Sequence, residues 1–161
     1  MGLEEILLAV FLFNYIGYNL LIWKMFGILP SVSDSFREWQ KLGLDKYGNP
    51  FTYFCWIMAF TLLPIMPNPF FMFAAAGFGF VGTAFNLDNK NVEKFHGKSA
   101  GVAIVAAIGG IVFSFSAWWA AGIALALAAL LAYLDVKNKI LWIEHIAFAA
   151  VMFEFVKYFY I

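Results

Sequence analysis

The chain has 161 residues, of which 64% are hydrophobic, 20% aromatic and only 12% charged, and its formal net charge is zero. Soluble domains carry roughly 25% charged residues, so the composition excludes an ordinary water-soluble protein. Neutral charge suggests no nucleic-acid partner, and a single cysteine, Cys55, excludes an internal disulfide framework and any Cys-x-x-Cys metal or redox motif.

Six apolar segments of spanning length follow one another along the chain. They are residues 6–26, 51–66, 70–87, 99–116, 117–134 and 140–161. The fourth and fifth belong to one charge-free stretch, Ser99 to Leu134, which as a single helix would be roughly 54 Å long, against a hydrocarbon core about 30 Å thick. The sequence therefore predicts an all-α fold, a polytopic integral membrane bundle of six transmembrane helices in a single membrane domain, residues 1–161.

Two of the predicted turns contain no charged residue. Pro64, Pro67 and Pro69, grouped around Asn68, each lack an amide donor and predict a tight turn between the second and third spans. Between the fourth and fifth spans, the turn is expected within residues 114–119, where two tryptophans suit the interfacial aromatic belt.

The first connection, residues 30–50, is the longest polar segment. It begins with Ser33-Asp34-Ser35 and continues with apolar residues at helical spacing, including Phe36 and Trp39. This pattern is compatible with a short interfacial helix or with a solvated loop.

Basic residues predict the orientation. Nine of the ten lysines and arginines flank or fill the first, third and fifth connections, and only Lys157 lies near the other side. Because basic loops stay in the cytoplasm, the prediction is a protein of the bacterial cytoplasmic membrane with both termini outside.

Small residues at four-residue spacing are typical of helix-packing seams in membranes. The fifth span carries alanines at this spacing, and the third and fourth carry alanine and glycine. We predict that the stripes of the fourth and fifth spans face each other. The residues are Ala120, Ala124, Ala128 and Ala132 in span five, Gly97, Gly101 and Gly109 in span four, and Ala75 and Gly79 in span three. The phenylalanines are expected mainly on the lipid-facing surface.

Ionisable groups at membrane depth are costly and need a physical reason. His96, Glu144 and His145 enter their spans from the predicted cytoplasmic side, where Ser33 and Asp34 follow the first span. We expect these residues to meet in a polar pocket below the headgroups.

That pocket has two chemical interpretations. As catalytic groups, the candidates are Ser33, Asp34, His96 and Glu144, one carboxylate acting as general base. As metal ligands, Asp34, His96, Glu144 and His145 would suit zinc with an open water position. Adjacent Glu144 and His145 project about 100° apart on a helix, which opposes a shared metal. The other interpretation is that all are interfacial groups hydrogen-bonded to water, loops or headgroups.

A second polar set is expected in the other half of the membrane. Glu154 and Lys157, three residues apart, predict a local ion pair. Asn14 and Asn19, with Tyr15 and Tyr18, are placed nearer the same side, and a polar path from Asn14 to Glu154 would indicate a transporter or channel.

Several of these residues also carry a family resemblance. The stretch Leu29 to Ser35 after the first span, Phe51, His96 and Glu144 resemble small six-span membrane proteins. These comprise an uncharacterised bacterial and phage-associated group and, more distantly, the damage-regulated autophagy modulators and the GPI-anchor lipid-remodelling protein. The resemblance implies a polar face of Ser31, Ser33, Asp34, His96 and Glu144 for recognising or remodelling a lipid headgroup.

Two functional hypotheses follow from the sequence. The first is a protein whose cytoplasmic-side pocket binds or modifies a headgroup of membrane lipids, with zinc as the cofactor if the site is metal-dependent. The second is a non-enzymatic transporter, channel-like protein or membrane-complex assembly subunit, acting as a homo-oligomer or with a membrane partner.

Overall fold

The computed structural model describes residues 2–44, 48–65, 68–84 and 92–161, with side chains for all of these except 84 and 92–94. Within these ranges the protein is all-α, with seven helices and no strand. They are α1 (Leu3–Phe26), α2 (Ser35–Lys41), α3 (Pro50–Ile65), α4 (Pro69–Ala84), α5 (Val92–Phe115), α6 (Trp118–Tyr133) and α7 (Lys139–Tyr160).

Six of these helices occupy the six apolar segments predicted from the sequence. The remaining helix, α2, lies in the first connection, so of the two alternatives for residues 30–50 the structure shows a short helix. Phe36 and Trp39 on α2 are buried. Several predictions fall on residues whose side chains the structure does not describe. These residues are Met66 and Leu87, at the ends of two predicted spans, Pro67 in the first predicted turn, and Lys46, Lys90 and Lys94.

Two helices, Leu3–Phe26 and the Phe95–Phe115 part of α5, are long and apolar enough to cross a membrane by length and composition. Three further apolar helices, Pro50–Ile65, Pro69–Thr83 and Trp118–Tyr133, are shorter. This test applies to the described part of the chain.

The sequence Asn-Pro-Phe occurs twice, and each copy marks the start of a 16-residue helix. Asn49 and Asn68 precede the prolines at the first helical positions of α3 and α4, where a missing amide hydrogen costs nothing. The Asn49 Oδ1 accepts from the Phe51 amide and the Asn68 Oδ1 from the Phe71 amide, both at 3.0 Å. These bonds satisfy amides that a helix start leaves unpaired.

The packing seams differ from the predicted arrangement. The main partner of α5 is α4, and the main partner of α6 is α7. A Cβ atom on Gly109 would lie 2.9 Å from Phe70 Cδ1 on α4, and one on Gly97, Gly101 or Gly79 would meet nothing within 4 Å. The prediction that the stripes of spans four and five face each other is therefore wrong.

The close α4–α5 contact is made by other small residues. A Cβ atom on Gly77 would lie 2.8 Å from the backbone of Ala103, and one on Gly110 would lie 2.6 Å from the Phe71 ring. Glycine at these positions lets the two helices approach, as expected for helices that pack in lipid.

Phenylalanines also form the centre of the bundle. The Phe155 ring centroid lies 5.1 Å from that of Phe71, 6.0 Å from Phe115 and 6.1 Å from Phe11. Phe155 and Phe71 are completely buried. The expectation that the phenylalanines mainly face lipid is thus incomplete, because this cluster joins α1, α4, α5 and α7.

Candidate functional site

The segment between α1 and α2 positions most of the predicted polar residues. Helix α1 ends at Gly27, whose φ of 75° and ψ of −156° fall in a region that glycine alone adopts without strain. The chain then runs along the start of α7, where the Leu141 amide donates to the Pro30 carbonyl at 3.0 Å. The Val32 amide donates to Glu144 Oε2 at 2.9 Å. Glu144 thus holds this segment in place.

Ser31, Ser33 and Asp34 form a compact network next to this contact. The Ser31 hydroxyl donates to Asp34 Oδ2 at 2.8 Å and lies 2.9 Å from the Ser33 hydroxyl. The Asp34 amide donates back to Ser31 Oγ at 3.2 Å, so that Ser31 caps the turn leading into α2. These polar side chains are partners of one another and of the backbone.

Ser33, Glu144 and His96 line one cavity of about 40 Å³. The remaining wall is mostly apolar and includes Phe51, Phe54 and Cys55. His96 hydrogen-bonds to the Val81 backbone on α4, and Asp34 interacts electrostatically with both His96 and Glu144. The volume has room for roughly two or three water molecules, so this cavity is too small for a headgroup.

His145 faces the opposite side of α7. Its Nδ1 lies 2.5 Å from the Tyr15 hydroxyl on α1, and its ring packs edge-on against Trp142 with centroids 6.1 Å apart. It lines a groove of about 230 Å³ between the end of α1 and the start of α7, together with Asn19 and Trp23. The 100° step between neighbouring helical residues separates His145 from Glu144.

The predicted metal ligands do not converge as one set. Among the residues that the structure describes, no three His, Cys, Asp or Glu side chains lie close enough to hold a metal ion. His96 and Glu144 line one cavity, Asp34 interacts electrostatically with both without lining it, and His145 lies in the groove on the other side of α7. The zinc hypothesis gains no geometric support from this arrangement.

A second network near the same end was not expected from the sequence. The Tyr18 hydroxyl lies 2.6 Å from Ser35 Oγ, which donates to the Val32 carbonyl at 2.6 Å. Trp39 Nε1 donates to the Tyr18 hydroxyl at 3.3 Å. Completely buried Asn49 donates to the Phe36 carbonyl at 3.0 Å. The Asn-Pro-Phe repeat is the sequence pattern that identifies Asn49.

The assignment of α1 polar residues to the far side is corrected by these contacts. Tyr15, Tyr18 and Asn19 belong to the end that carries α2 and the start of α7. Asn14 donates to the Phe54 carbonyl on α3 at 3.0 Å, which is a local helix-to-helix bond. The polar path from Asn14 to Glu154 is not formed by these bonds.

The predicted ion pair at the opposite end is present. Lys157 Nζ lies 3.5 Å from Glu154 Oε2, and the Glu154 side chain is 1% exposed, compared with 49% for Lys157. Nearby, Asn68 Nδ2 donates to Ser114 Oγ at 2.6 Å, joining the α3–α4 turn to the end of α5.

Comparison with known proteins yields no relative. No known protein family, no curated protein and no solved structure matches the chain.

Proposed function

We propose that the chain is a six-span integral membrane protein of the bacterial cytoplasmic membrane that binds a phosphate-bearing lipid headgroup in the groove between α1 and α7. The observation that carries this proposal is the groove itself. It is about 230 Å³ in volume and combines Trp23, Trp142, His145 and Asn19 at the end of the bundle where basic residues concentrate.

The outer surface of the helices supports a lipid environment. Each of the six apolar helices, α1 and α3 to α7, has large apolar side chains that are 53% to 80% exposed. Examples are Phe13, Phe60, Phe73, Phe113, Leu125 and Phe153. Contiguous apolar surface on this scale is unsuited to water. Six helices fit a bundle in which short α3, α4 and α6, each of 16 residues, cross roughly 24 Å with local thinning of the bilayer.

The charge distribution supports a phosphate-bearing ligand. Lys24, Arg37, Lys41, Lys98 and Lys137 are exposed and belong to the segments that flank the α2 end. Basic residues beside a span attract anionic headgroups at the cytoplasmic surface. In this proposal the α2 end faces the cytoplasm and both termini lie outside, an orientation that the excess of basic residues at the α2 end supports.

The groove supplies the two kinds of contact that a headgroup needs. Tryptophan rings suit the boundary between acyl chains and headgroups. The His145 Nε2 and the Asn19 amide supply hydrogen-bonding groups, and the Tyr15 hydroxyl on Nδ1 fixes the imidazole orientation. Binding rather than hydrolysis is favoured because Ser33 is hydrogen-bonded to Ser31, whereas a nucleophile needs an adjacent base.

The test is lipid retention by purified protein. In nanodiscs of equal parts phosphatidylglycerol and phosphatidylcholine, native mass spectrometry should show preferential retention of phosphatidylglycerol. His145→Phe removes a hydrogen bond to a charged group, which corresponds to a loss of about tenfold in retention.

Trp118 provides the matched control. It is 67% exposed at the far end of the bundle, so Trp118→Ala should retain lipid like the wild type, whereas Trp142→Ala should not. Equal retention of both lipids by the wild type, or equal losses in the two tryptophan variants, would contradict the proposal.

A second candidate is a non-enzymatic transport or membrane-complex assembly subunit. It is favoured by an apolar groove of about 490 Å³ between α3 and α4, lined by Trp56, Phe60, Met72 and Phe80 among others. Elemental analysis of the purified protein discriminates the classes. A stoichiometric metal would favour headgroup modification, whereas metal-free protein that co-purifies with a defined membrane partner would favour this second candidate.

A further inference from the structure

A second open cavity lies at the end of the bundle opposite α2. It has a volume of about 460 Å³, within the range of small-molecule sites. The end of α5 and the end of α7 form its walls, which consist of Ser114, Phe115, Ser116, Glu154, Lys157 and Tyr158. None of these residues belongs to the groove proposed above.

Glu154 gives this cavity an unfilled acceptor. The side chain is 1% exposed, and among the described residues its Oε1 has no hydrogen-bond partner. Its other oxygen, Oε2, lies 3.5 Å from Lys157 Nζ, which is long for a charge-assisted hydrogen bond. Buried acceptors are ordinarily satisfied, so this oxygen indicates a missing donor.

Lys157 gives the same cavity a positive charge at its outer edge. The side chain is 49% exposed, and Nζ lies 5.8 Å from the centroid of the Trp119 ring, a cation–π distance that holds the ammonium near the surface. The cavity therefore has a buried negative charge and an exposed positive charge.

This charge arrangement selects the class of ligand. A net cation would be repelled by Lys157 and a net anion by Glu154, whereas a zwitterion matches both. The ligand's positive group must donate a hydrogen bond to Glu154 Oε1, which a primary ammonium does and a trimethylammonium cannot. Its negative group would lie outward, next to Lys157, in a cavity that Ser114 and Ser116 also line.

We propose that this cavity binds a phosphoethanolamine-type zwitterion, with the ammonium on Glu154 and the phosphate on Lys157. The ligand's source is either the headgroup of a membrane lipid in the outer leaflet or a free soluble compound. The site does not depend on the function proposed for the α1–α7 groove, since the two share no residue.

Lipid competition tests the proposal on the full chain. In nanodiscs of equal parts phosphatidylethanolamine, phosphatidylcholine and phosphatidylglycerol, the lipids retained through native mass spectrometry should be enriched about tenfold in phosphatidylethanolamine over phosphatidylcholine. Glu154→Gln and Lys157→Gln should each abolish that enrichment. Lys157 is half exposed, so Lys157→Gln keeps the test valid if Glu154→Gln does not fold.

Asp135→Asn is the matched control. Asp135 is exposed and forms a 2.6 Å ion pair with Lys139, whose hydrogen bond and charge lower the pKa of the carboxyl. This variant removes a carboxylate from an ion pair between the α6–α7 turn and the start of α7, outside the cavity, and should keep the enrichment.

Soluble phosphoethanolamine distinguishes the two sources. If it displaces the lipid at micromolar concentration, the ligand is the free compound, and if it does not, the ligand is the lipid. Retention of all three lipids in their input proportions, with no binding of soluble phosphoethanolamine, would overturn the proposal. So would an equal loss of enrichment in Asp135→Asn and Glu154→Gln.

Discussion

The two ends of the bundle organise their polar groups in opposite ways. At the α2 end, Ser31, Asp34, Ser35 and Glu144 bond to one another or to backbone amides and carbonyls. At the far end, one carboxylate oxygen of Glu154, which lines a cavity, has no partner within the described part of the chain.

This contrast shows that the number of polar residues at one end of the bundle does not measure its readiness to bind. Most polar side chains at the α2 end hold the 27–34 segment against α7, and the oxygens without a partner among the described residues there, Asn19 Oδ1 and Thr52 Oγ1, are single amide and hydroxyl groups. At the far end, the described oxygen without a partner belongs to a carboxylate whose side chain lines an open cavity. Accounting for each donor and acceptor is therefore more informative than counting charges.

The largest expected effect is a difference in cysteine labelling between the two ends, which the proposal places on opposite sides of the membrane. In a Cys55→Ala background, Gly2→Cys lies at the far end and Gln40→Cys lies on α2, and both positions are exposed. In intact cells, an impermeant thiol reagent should label Gly2→Cys fully and leave Gln40→Cys unlabelled. Both should react after the membrane is opened.

The reverse labelling pattern would place the α2 end outside and overturn the proposed orientation. Equal labelling of the two positions in intact cells would contradict a membrane crossing by α1, the one predicted span between them.

The interdependence of the α2 end is testable by a double-mutant cycle. Glu144→Ala leaves the Val32 amide without its partner, which should cost about 1–3 kcal/mol of unfolding free energy in detergent. His96 lines the same cavity, so the His96→Ala, Glu144→Ala double variant should be less destabilised than the sum of the single variants.

A second cycle, which pairs Glu144 with a residue at the far end, supplies the comparison. Phe153 is 53% exposed, so Phe153→Ala combined with Glu144→Ala should be additive. If the His96 and Glu144 changes are also additive, then the two side chains act separately and the α2 end is not a single network.

The α4–α5 seam connects the two ends and should show the smallest effect. Gly77→Ala places a methyl group 2.8 Å from the Ala103 backbone, and we expect a loss of about 1 kcal/mol in detergent. Gly79→Ala on the same helix meets nothing within 4 Å and should be neutral or slightly stabilising. Indistinguishable unfolding curves for the two variants would contradict this seam.

Helix positions were predictable from the sequence because their causes are local. Most apolar runs end at charges, prolines or glycines. The charge-free run of residues 99–134 is too long for one span, and α5 and α6 separate at residues 116–117, within the turn predicted at 114–119. The sequence predicted that Ser33, His96 and Glu144 lie at the same end of the bundle. Ser33 follows the end of α1, and the other two residues lie near the starts of α5 and α7.

Partner choice was not predictable because it depends on the whole bundle. A stripe of small residues indicates close helix packing but does not identify the neighbouring helix. Gly109 on α5 packs against Phe70 of α4 and not against α6. Likewise, Tyr15 and His145 are 130 residues apart, and no local pattern links them. Whether the residues near Ser33 bind a headgroup stays a prediction.

The Pro30–Leu141 and Val32–Glu144 bonds have a consequence for biosynthesis. Each bond joins the segment after the first helix to the last helix. During translation, Pro30 and Val32 are therefore synthesised more than a hundred residues before their partners on α7. The groove between α1 and α7 cannot close until the final helix has entered the bundle. In the proposed six-span arrangement, a ribosome-stalled chain lacking α7 would therefore present five inserted helices and an unfinished groove, and binding of the proposed ligand would report the completion of insertion.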